Sequence, residues 1–220
     1  MNVLFDFDGT IADSFDAVLA IANRLAVNFG YPITPPETVE YLRQLGSREV
    51  LQVVQVSPFK LPFLLRRLRA ELNQEITQLK PFPGIPEALA DLKNQGHSLG
   101  IATSNSVENV RLFLQANHLS NHFDFLASGL TIFGKSRILR QMIRQEDILS
   151  QQVIYVGDET RDIEAAHQLK LPVIAVAWGF NSVETLRRHN PDYLAKSPQD
   201  LPAIVASHQG LDKVTYKKKN

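Results

Sequence analysis

Asn2-Val3-Leu4-Phe5-Asp6-Phe7-Asp8-Gly9-Thr10-Ile11-Ala12-Asp13 is the stretch on which the fold turns. It begins as a short apolar strand, Val3 to Phe5, and then sets Asp6 and Asp8 on either side of Phe7. Residues two apart on a strand share a face, so the two carboxylates would leave the strand end side by side. Carboxylates that close repel, and one pKa rises unless a cation sits with them. Gly9 follows, where the chain must turn or let another group come near, and Thr10 adds a hydroxyl. The local expectation is a divalent-metal site with one carboxylate free for chemistry. The bland alternative is a pair of solvated acids at a strand end.

Beyond Asp13 the pattern is helical. Phe15, Val18, Ile21, Ala22, Leu25 and Phe29 recur at helical spacing, and Gly30 is a natural stop. Thr34-Pro35-Pro36-Glu37 fits a capping box that opens a helix running to about Leu45. Ser47 to Val56 reads as another helix, and Pro62 opens a longer one with Leu65, Leu68, Leu72, Ile76 and Leu79 on one face. From Pro81 onward strands and helices alternate. Strands are predicted at 97–103, 123–127, 153–156, 172–177 and 193–194, and helices at 87–95, 107–116, 136–145, 161–170, 184–188 and 201–207. Asn105 and Glu108 are placed to cap the helix that begins at Val107.

That alternation implies an α/β fold, a Rossmann-like doubly wound parallel sheet with its ligands at the carboxyl ends of the strands. The opening strand belongs to that sheet. The expected organisation is a core of residues 1–14 and 81–210, an all-helical insertion at 15–80, and a frayed tail at 211–220 carrying Lys217-Lys218-Lys219.

Composition narrows the function. The 220 residues are 44 % hydrophobic, enough for a sizeable core. Lys+Arg and Asp+Glu both number 23, so neither nucleic acid nor an anionic membrane is suggested as a main partner. No cysteine is present, which excludes disulfides, thiolate metal sites and cysteine nucleophiles. Apolar runs such as Val173 to Trp178 are too short to span a bilayer. A cytoplasmic protein is the expectation.

In such a sheet the loops after successive strands meet. They would deliver Asp6, Asp8 and Thr10, then Ser104 and Asn105, then Lys135, then Gly157-Asp158-Glu159 and Asp162. Hard oxygen ligands and an ammonium are what a phosphate ester with Mg²⁺ requires.

Asp6-Phe7-Asp8-Gly9-Thr10, Ser104, Lys135 and Gly157-Asp158-Glu159-Thr160-Arg161-Asp162 resemble the four motifs of the haloacid dehalogenase superfamily, in the family's order and with a helical cap in the usual place. Gly157 to Ala166, the Trp178-Gly179-Phe180 turn and Pro191 to Leu194 look like its phosphoglycolate phosphatase-like branch.

The resemblance implies a Mg²⁺-dependent phosphatase of small organic phosphate monoesters, with phosphoglycolate the favoured substrate. Asp6 would attack phosphorus and form an aspartyl phosphate, and Asp8 would protonate the leaving oxygen and then activate water. Mg²⁺ would be held by Asp6, the backbone carbonyl of Asp8, Asp158 and, directly or one step removed, Asp162. Ser104 and Lys135 would bind phosphoryl oxygens, with Asn105 and Thr10 beside them and Thr10 supporting the loop. A dehalogenase lacks this second aspartate, so Asp8 argues for phosphoryl transfer. Leu45-Gly46-Ser47-Arg48-Glu49 resembles a substrate-specificity loop, which makes Arg48 a candidate contact for the leaving group. A phosphomutase would show the same core motifs, and sugar phosphates, nucleotides and pyrophosphate remain alternative substrates.

Other polar residues read more plainly. Arg161 looks like a capping or pairing residue at a helix start, and Arg66, Arg67 and Arg69 like a solvated helix face, with lining of the cleft toward an anionic substrate as the alternative for some of them. One rival comes from another class. Gly129-Leu130-Thr131-Ile132-Phe133-Gly134-Lys135-Ser136 fits the P-loop pattern of nucleotide-binding ATPases and kinases. Its interior is bulky where a phosphate nest needs small residues, and it leaves Asp6 and Asp8 unexplained.

Overall fold

The computed structural model describes residues 1–129 and 134–217. Six strands, β1 (Asn2–Phe5), β2 (Ser98–Thr103), β3 (Phe125–Ser128), β4 (Val153–Gly157), β5 (Val173–Val176) and β6 (Tyr193–Ala195), form one parallel sheet. Their order is β3-β2-β1-β4-β5-β6, so the winding direction reverses between β1 and β4. That reversal opens a crevice at the carboxyl ends of those two strands. Asp6 and Asp158 immediately follow them.

The central strands are apolar throughout because both faces are covered. Every residue of β4 is buried, Tyr155 included. Side-chain alternation sorts them into two cores. Val3, Phe5, Ile154 and Val156 face one side, under α5 (Ile85–Asn94), α6 (Val107–Ala116) and α10 (Leu201–Lys217). Leu4, Val153 and Tyr155 face the other, under α7 (Lys135–Gln145), α8 (Thr160–Leu169) and α9 (Val183–Arg188).

Four helices stand between β1 and α5: α1 (Phe15–Phe29), α2 (Pro36–Arg43), α3 (Ser47–Val53) and α4 (Leu61–Glu75). Gly30 closes α1 in the left-handed region, φ +73°, where its N–H reaches the Ala26 carbonyl at 2.8 Å. The chain enters and leaves this group of helices through paired segments. Asp13 N–H donates to the Lys80 carbonyl at 2.9 Å, and Phe82 N–H to that of Ile11 at 3.1 Å.

Several details depart from expectation. The Thr34–Glu37 capping box does not form: Pro35 is the N-cap, and Thr34 instead donates its N–H to Asn23 Oδ1. α2 stops at Arg43 because its last carbonyls find acceptor roles elsewhere. Ser182 N–H donates to the Arg43 carbonyl, Asn181 Nδ2 to Leu45, and Thr185 Oγ1 to Gln44, each at 2.8 Å. The cap of α6 is Ser106, whose Oγ accepts from Asn109 N–H at 3.1 Å. Asn105, the expected cap, points elsewhere. α10 continues through residues 211–217, past both the expected helix end and the expected start of a tail, while 218–220 lie outside the described residues. No helix among the described residues is long and apolar enough to cross a membrane.

Candidate active site

Asp6 leaves β1 with its N–H still bonded to the Val156 carbonyl of β4, at 2.8 Å. The chain then folds tightly, the Phe7 carbonyl accepting from both Ile11 N–H (2.9 Å) and Ala12 N–H (3.0 Å). Gly9 takes φ +78°, and a Cβ there would lie 2.2 Å from Asp158 Oδ2. Only glycine fits both constraints. The turn presses its backbone against the loop after β4, which carries the second acidic group.

Asp6, Asp158 and Asp162 are buried, and their carboxylate oxygens lie within 4.8 Å of one another. Asp158 is held by the Thr10 hydroxyl on Oδ1 at 2.7 Å and by Phe180 N–H on Oδ2 at 2.8 Å. Asp162 Oδ1 accepts from the Tyr155 hydroxyl at 3.1 Å, and its Oδ2 from Glu159 N–H at 3.1 Å. Lys135, first residue of α7, answers the charge. Its Nζ lies 2.6 Å from Asp6 Oδ1, 3.2 Å from Asp162 Oδ1 and 3.4 Å from the Ala102 carbonyl. Those three acceptors match its three protons.

One ammonium does not balance this many acids. Burial pushes Asp6 up to about 7, with Lys135 pulling it down and Asp162 adding to the rise. Asp158 is driven well above the usual carboxylate range, first by burial and then by the charges of Glu159, Asp162 and Asp6. Asp6 Oδ2 is buried without a hydrogen-bond partner. Clustered hard oxygens, excess negative charge and a bare carboxylate oxygen together fit a hard divalent cation.

Asp8 stands apart from these three. Ser14 Oγ donates to its Oδ1 at 3.0 Å, and Asn105 Nδ2 to its Oδ2 at 3.0 Å. Asn105 is steadied in turn, its Oδ1 accepting from Asn109 Nδ2 at 2.9 Å. Burial raises the Asp8 pKa against the pull of the Ser14 and Asn105 bonds. Asp8, Ser104, Asn105, Arg69 and Arg161 line a cavity of about 320 Å³, together with Arg43, Ser47, Glu159, Asn181 and apolar side chains of α1 to α4. A carboxyl whose pKa is raised, on the wall of a cavity beside a buried anionic group, can exchange a proton with a bound molecule.

The family model for haloacid dehalogenase-like hydrolases matches residues 3–176. The chain belongs to that family. A phosphoglycolate phosphatase from Synechococcus elongatus is 41 % identical over 203 residues, spanning 92 % of this chain and 96 % of the relative. A phosphoglycolate phosphatase from Aquifex aeolicus is 26 % identical over 209 residues, 94 % and 97 % of the two chains. Among solved structures, a predicted phosphatase from Clostridium acetobutylicum superposes with a TM-score of 0.81 at 22 % identity, covering 94 % of this chain and 98 % of its own.

Within this haloacid dehalogenase-like framework, Asp6, Asp158, Asp162 and Lys135 come together, and Asp8, Ser104 and Asn105 share the adjoining cavity. Two residues expected near phosphate have other bonds: Thr10 donates to Asp158, and Asn105 to Asp8. The Asp8 carboxylate is outside the three-acid cluster. Arg48 lies away from the cavity, 69 % exposed and 3.9 Å from Glu164. Lys135 sits with Asp6, while Leu130 to Phe133 of the P-loop-like stretch lie outside the described residues.

Of the three arginines on the α4 face, Arg69 is the one that takes the cleft-lining alternative: it turns into the cavity and donates to the Gly129 carbonyl at 2.7 Å. Arg161 pairs with Glu159 as expected, but does so on the cavity wall. Tyr155 lies in the apolar strand β4, yet its hydroxyl reaches Asp162. A tyrosine in an otherwise aliphatic buried strand was the available signal, since a buried phenol needs a partner.

Proposed function

We propose that the chain hydrolyses small organic phosphate monoesters by way of an aspartyl phosphate on Asp6, with phosphoglycolate the favoured substrate. The observation that carries this reading is Asp8, held by Ser14 and Asn105 at the cavity wall with its pKa raised by burial. A phosphate ester needs a proton on its leaving oxygen, and a halide does not. The names of the two relatives above favour phosphoglycolate within the class.

Asp6 attacks phosphorus, the ester bond breaks, and Asp8 gives its proton to the departing oxygen. Asp8 then takes a proton from water, whose oxygen attacks the phosphorus of the aspartyl phosphate. Phosphate leaves and Asp6 is regenerated. Proton transfer of this kind contributes about 10²–10⁴ in rate. Ser104 and Lys135 hold phosphoryl oxygens, with Lys135 already beside Asp6. Mg²⁺ would be held by Asp6, Asp158, Asp162 and the Asp8 main-chain carbonyl, and would supply positive charge opposite the phosphoryl oxygens.

Residues 15–80 act as a cap over the core of 1–14 and 81–210. The α2–α3 turn is bonded to the core through Asn181 and Thr185, and these contacts would form when the cap closes. Closure keeps water from the reaction until the leaving group departs.

Phosphate release from a panel of monoesters, with and without Mg²⁺, tests the reading in wild type and Asp6→Asn. Wild type should require Mg²⁺ and Asp6→Asn should be inactive. Turnover that survives Asp6→Asn overturns the mechanism. ATP hydrolysis that survives Asp6→Asn and disappears in Lys135→Met returns the case to a P-loop.

A further inference from the structure

The proposed mechanism uses Asp6, Asp8, Ser104 and Lys135, and it leaves a guanidinium on the cavity wall without a task. The Arg161 side chain is only 13 % exposed and lines the cavity with Asp8 and Ser104. A charge in so apolar a space is costly unless it is paired. Nη2 donates to Glu159 Oε1, which accounts for part of the fork. Nε is buried and has no hydrogen-bond partner. A buried, unpartnered N–H of a guanidinium calls for an acceptor that arrives with the ligand.

The surroundings indicate what that acceptor is. Arg69 lines the same cavity from α4. Both guanidiniums thus line the same cavity wall as Asp8 and Ser104. The phosphoryl group has Lys135 on the Asp6 side. A short leaving group that enters the cavity would meet the arginines that line it. A guanidinium fork matches a planar carboxylate in geometry as well as charge.

We propose that Arg161, with Arg69 beside it, binds a carboxylate on the leaving group and so selects short phosphate monoesters that carry a second, acidic group. This rests on the phosphatase reading and names the residue that decides its specificity. Glu159 is the positioning residue. Its Oε1 holds Arg161, and its Oε2 accepts from Ser47 Oγ at 3.1 Å, at the start of α3. The recognition of the substrate's acid is thereby tied to the seating of the cap turn.

The experiment compares two esters of nearly equal size, phosphoglycolate and 2-hydroxyethyl phosphate, which differ in carboxylate against hydroxymethyl. Wild type, Arg161→Met, Arg161→Lys and the double variant Glu159→Gln with Arg161→Met are assayed with Mg²⁺, and folding is checked by circular dichroism. The double variant does not strand the Glu159 carboxylate opposite a missing guanidinium, so it covers the case in which Arg161→Met does not fold. The ratio of kcat/KM for the acid ester over the neutral one should fall about 10- to 150-fold in Arg161→Met and in the double variant, as loss of a charged hydrogen bond predicts. Arg161→Lys should fall between them and wild type. An unchanged ratio overturns the proposal, including the outcome in which both esters lose equally, which would place Arg161 on the phosphoryl group. In that outcome Mg²⁺-dependent turnover by wild type leaves the phosphatase reading standing. No turnover of either ester by wild type removes both.

Discussion

Lys135 Nζ lies 2.6 Å from Asp6 Oδ1, and both side chains are 2 % exposed. The same ammonium reaches Asp162, so removing it leaves two buried carboxylates without their cation. Breaking a buried ion pair from one side costs about 3–5 kcal/mol, because the remaining charge stays desolvated. Lys135→Met should therefore lower the metal-free unfolding free energy by about that amount. Mg²⁺ should restore part of it, since the metal can take over the orphaned charge. Urea denaturation with and without Mg²⁺ measures both effects.

Asp8 and Asn105 act as a unit. The Asn105 amide holds the Asp8 carboxylate, and Asn109 holds Asn105. Asp8→Asn should lower kcat by about 10²–10⁴. Asn105→Ala should lower kcat about tenfold, the usual order for one hydrogen bond that positions a proton donor. The double variant should be little worse than Asp8→Asn alone, since there is no carboxyl left to orient. Steady-state kinetics on the preferred ester decides it. Additive losses would mean that Asn105 acts through another partner.

Stability without metal should fall as pH rises. Burial raises the carboxyls of Asp6, Asp8 and Asp158. In that range the folded protein retains protons that the unfolded chain has released, so rising pH favours unfolding. For Asp6 the window runs from the ordinary 3.8 to about 7, after which its contribution is lost and the curve flattens. Thermal melts in EDTA across that window should show a declining Tm. Mg²⁺, which favours the ionised carboxylates, should flatten or reverse the slope. Asp158→Asn should also reduce it in EDTA.

Gly179 guards the position of Asp158. A Cβ at residue 179 would lie 2.2 Å from Asp158 Cβ and 2.4 Å from its Oδ2, so something must shift. Gly179→Ala should push Asp158 away from Asp6 and Asp162. Displacing a ligand's support typically costs 10- to 100-fold in metal affinity, so the Mg²⁺ concentration for half-maximal activity should rise by about that factor. Calorimetric titration of Mg²⁺ into the variant checks the same shift without turnover.

Much of this molecule is legible one residue at a time. The apolar strand before Asp6, the helical spacing from Phe15 to Phe29 and the strand–helix alternation after Pro81 each report local periodicity, which backbone geometry enforces. Asp6, Lys135, Asp158 and Asp162 were foreseeable as a group because parallel strands place their following loops on one edge of the sheet. Helix ends were less so. Asn105 fits a cap by type but turns to Asp8, and Ser106 caps α6 instead, because a tertiary partner competes with the local one.

Long side chains on helices were the least legible. Arg48, Arg69 and Arg161 have the same chemistry, yet one pairs with Glu164 at the surface and the other two enter the cavity. Which way a flexible guanidinium points depends on the acids and walls that other segments bring to it. The sequence by itself determined the parallel α/β class, the helical insertion after β1 and the acidic strand ends, all written in spacing. The tertiary structure alone decided that Asp6 and Asp8 part company. Asp6 joins Lys135, Asp158 and Asp162 in a buried charge cluster, whereas Asp8 faces the cavity between Ser14 and Asn105. Two carboxylates two residues apart acquire different partners only when β2, β4 and α7 are packed around them.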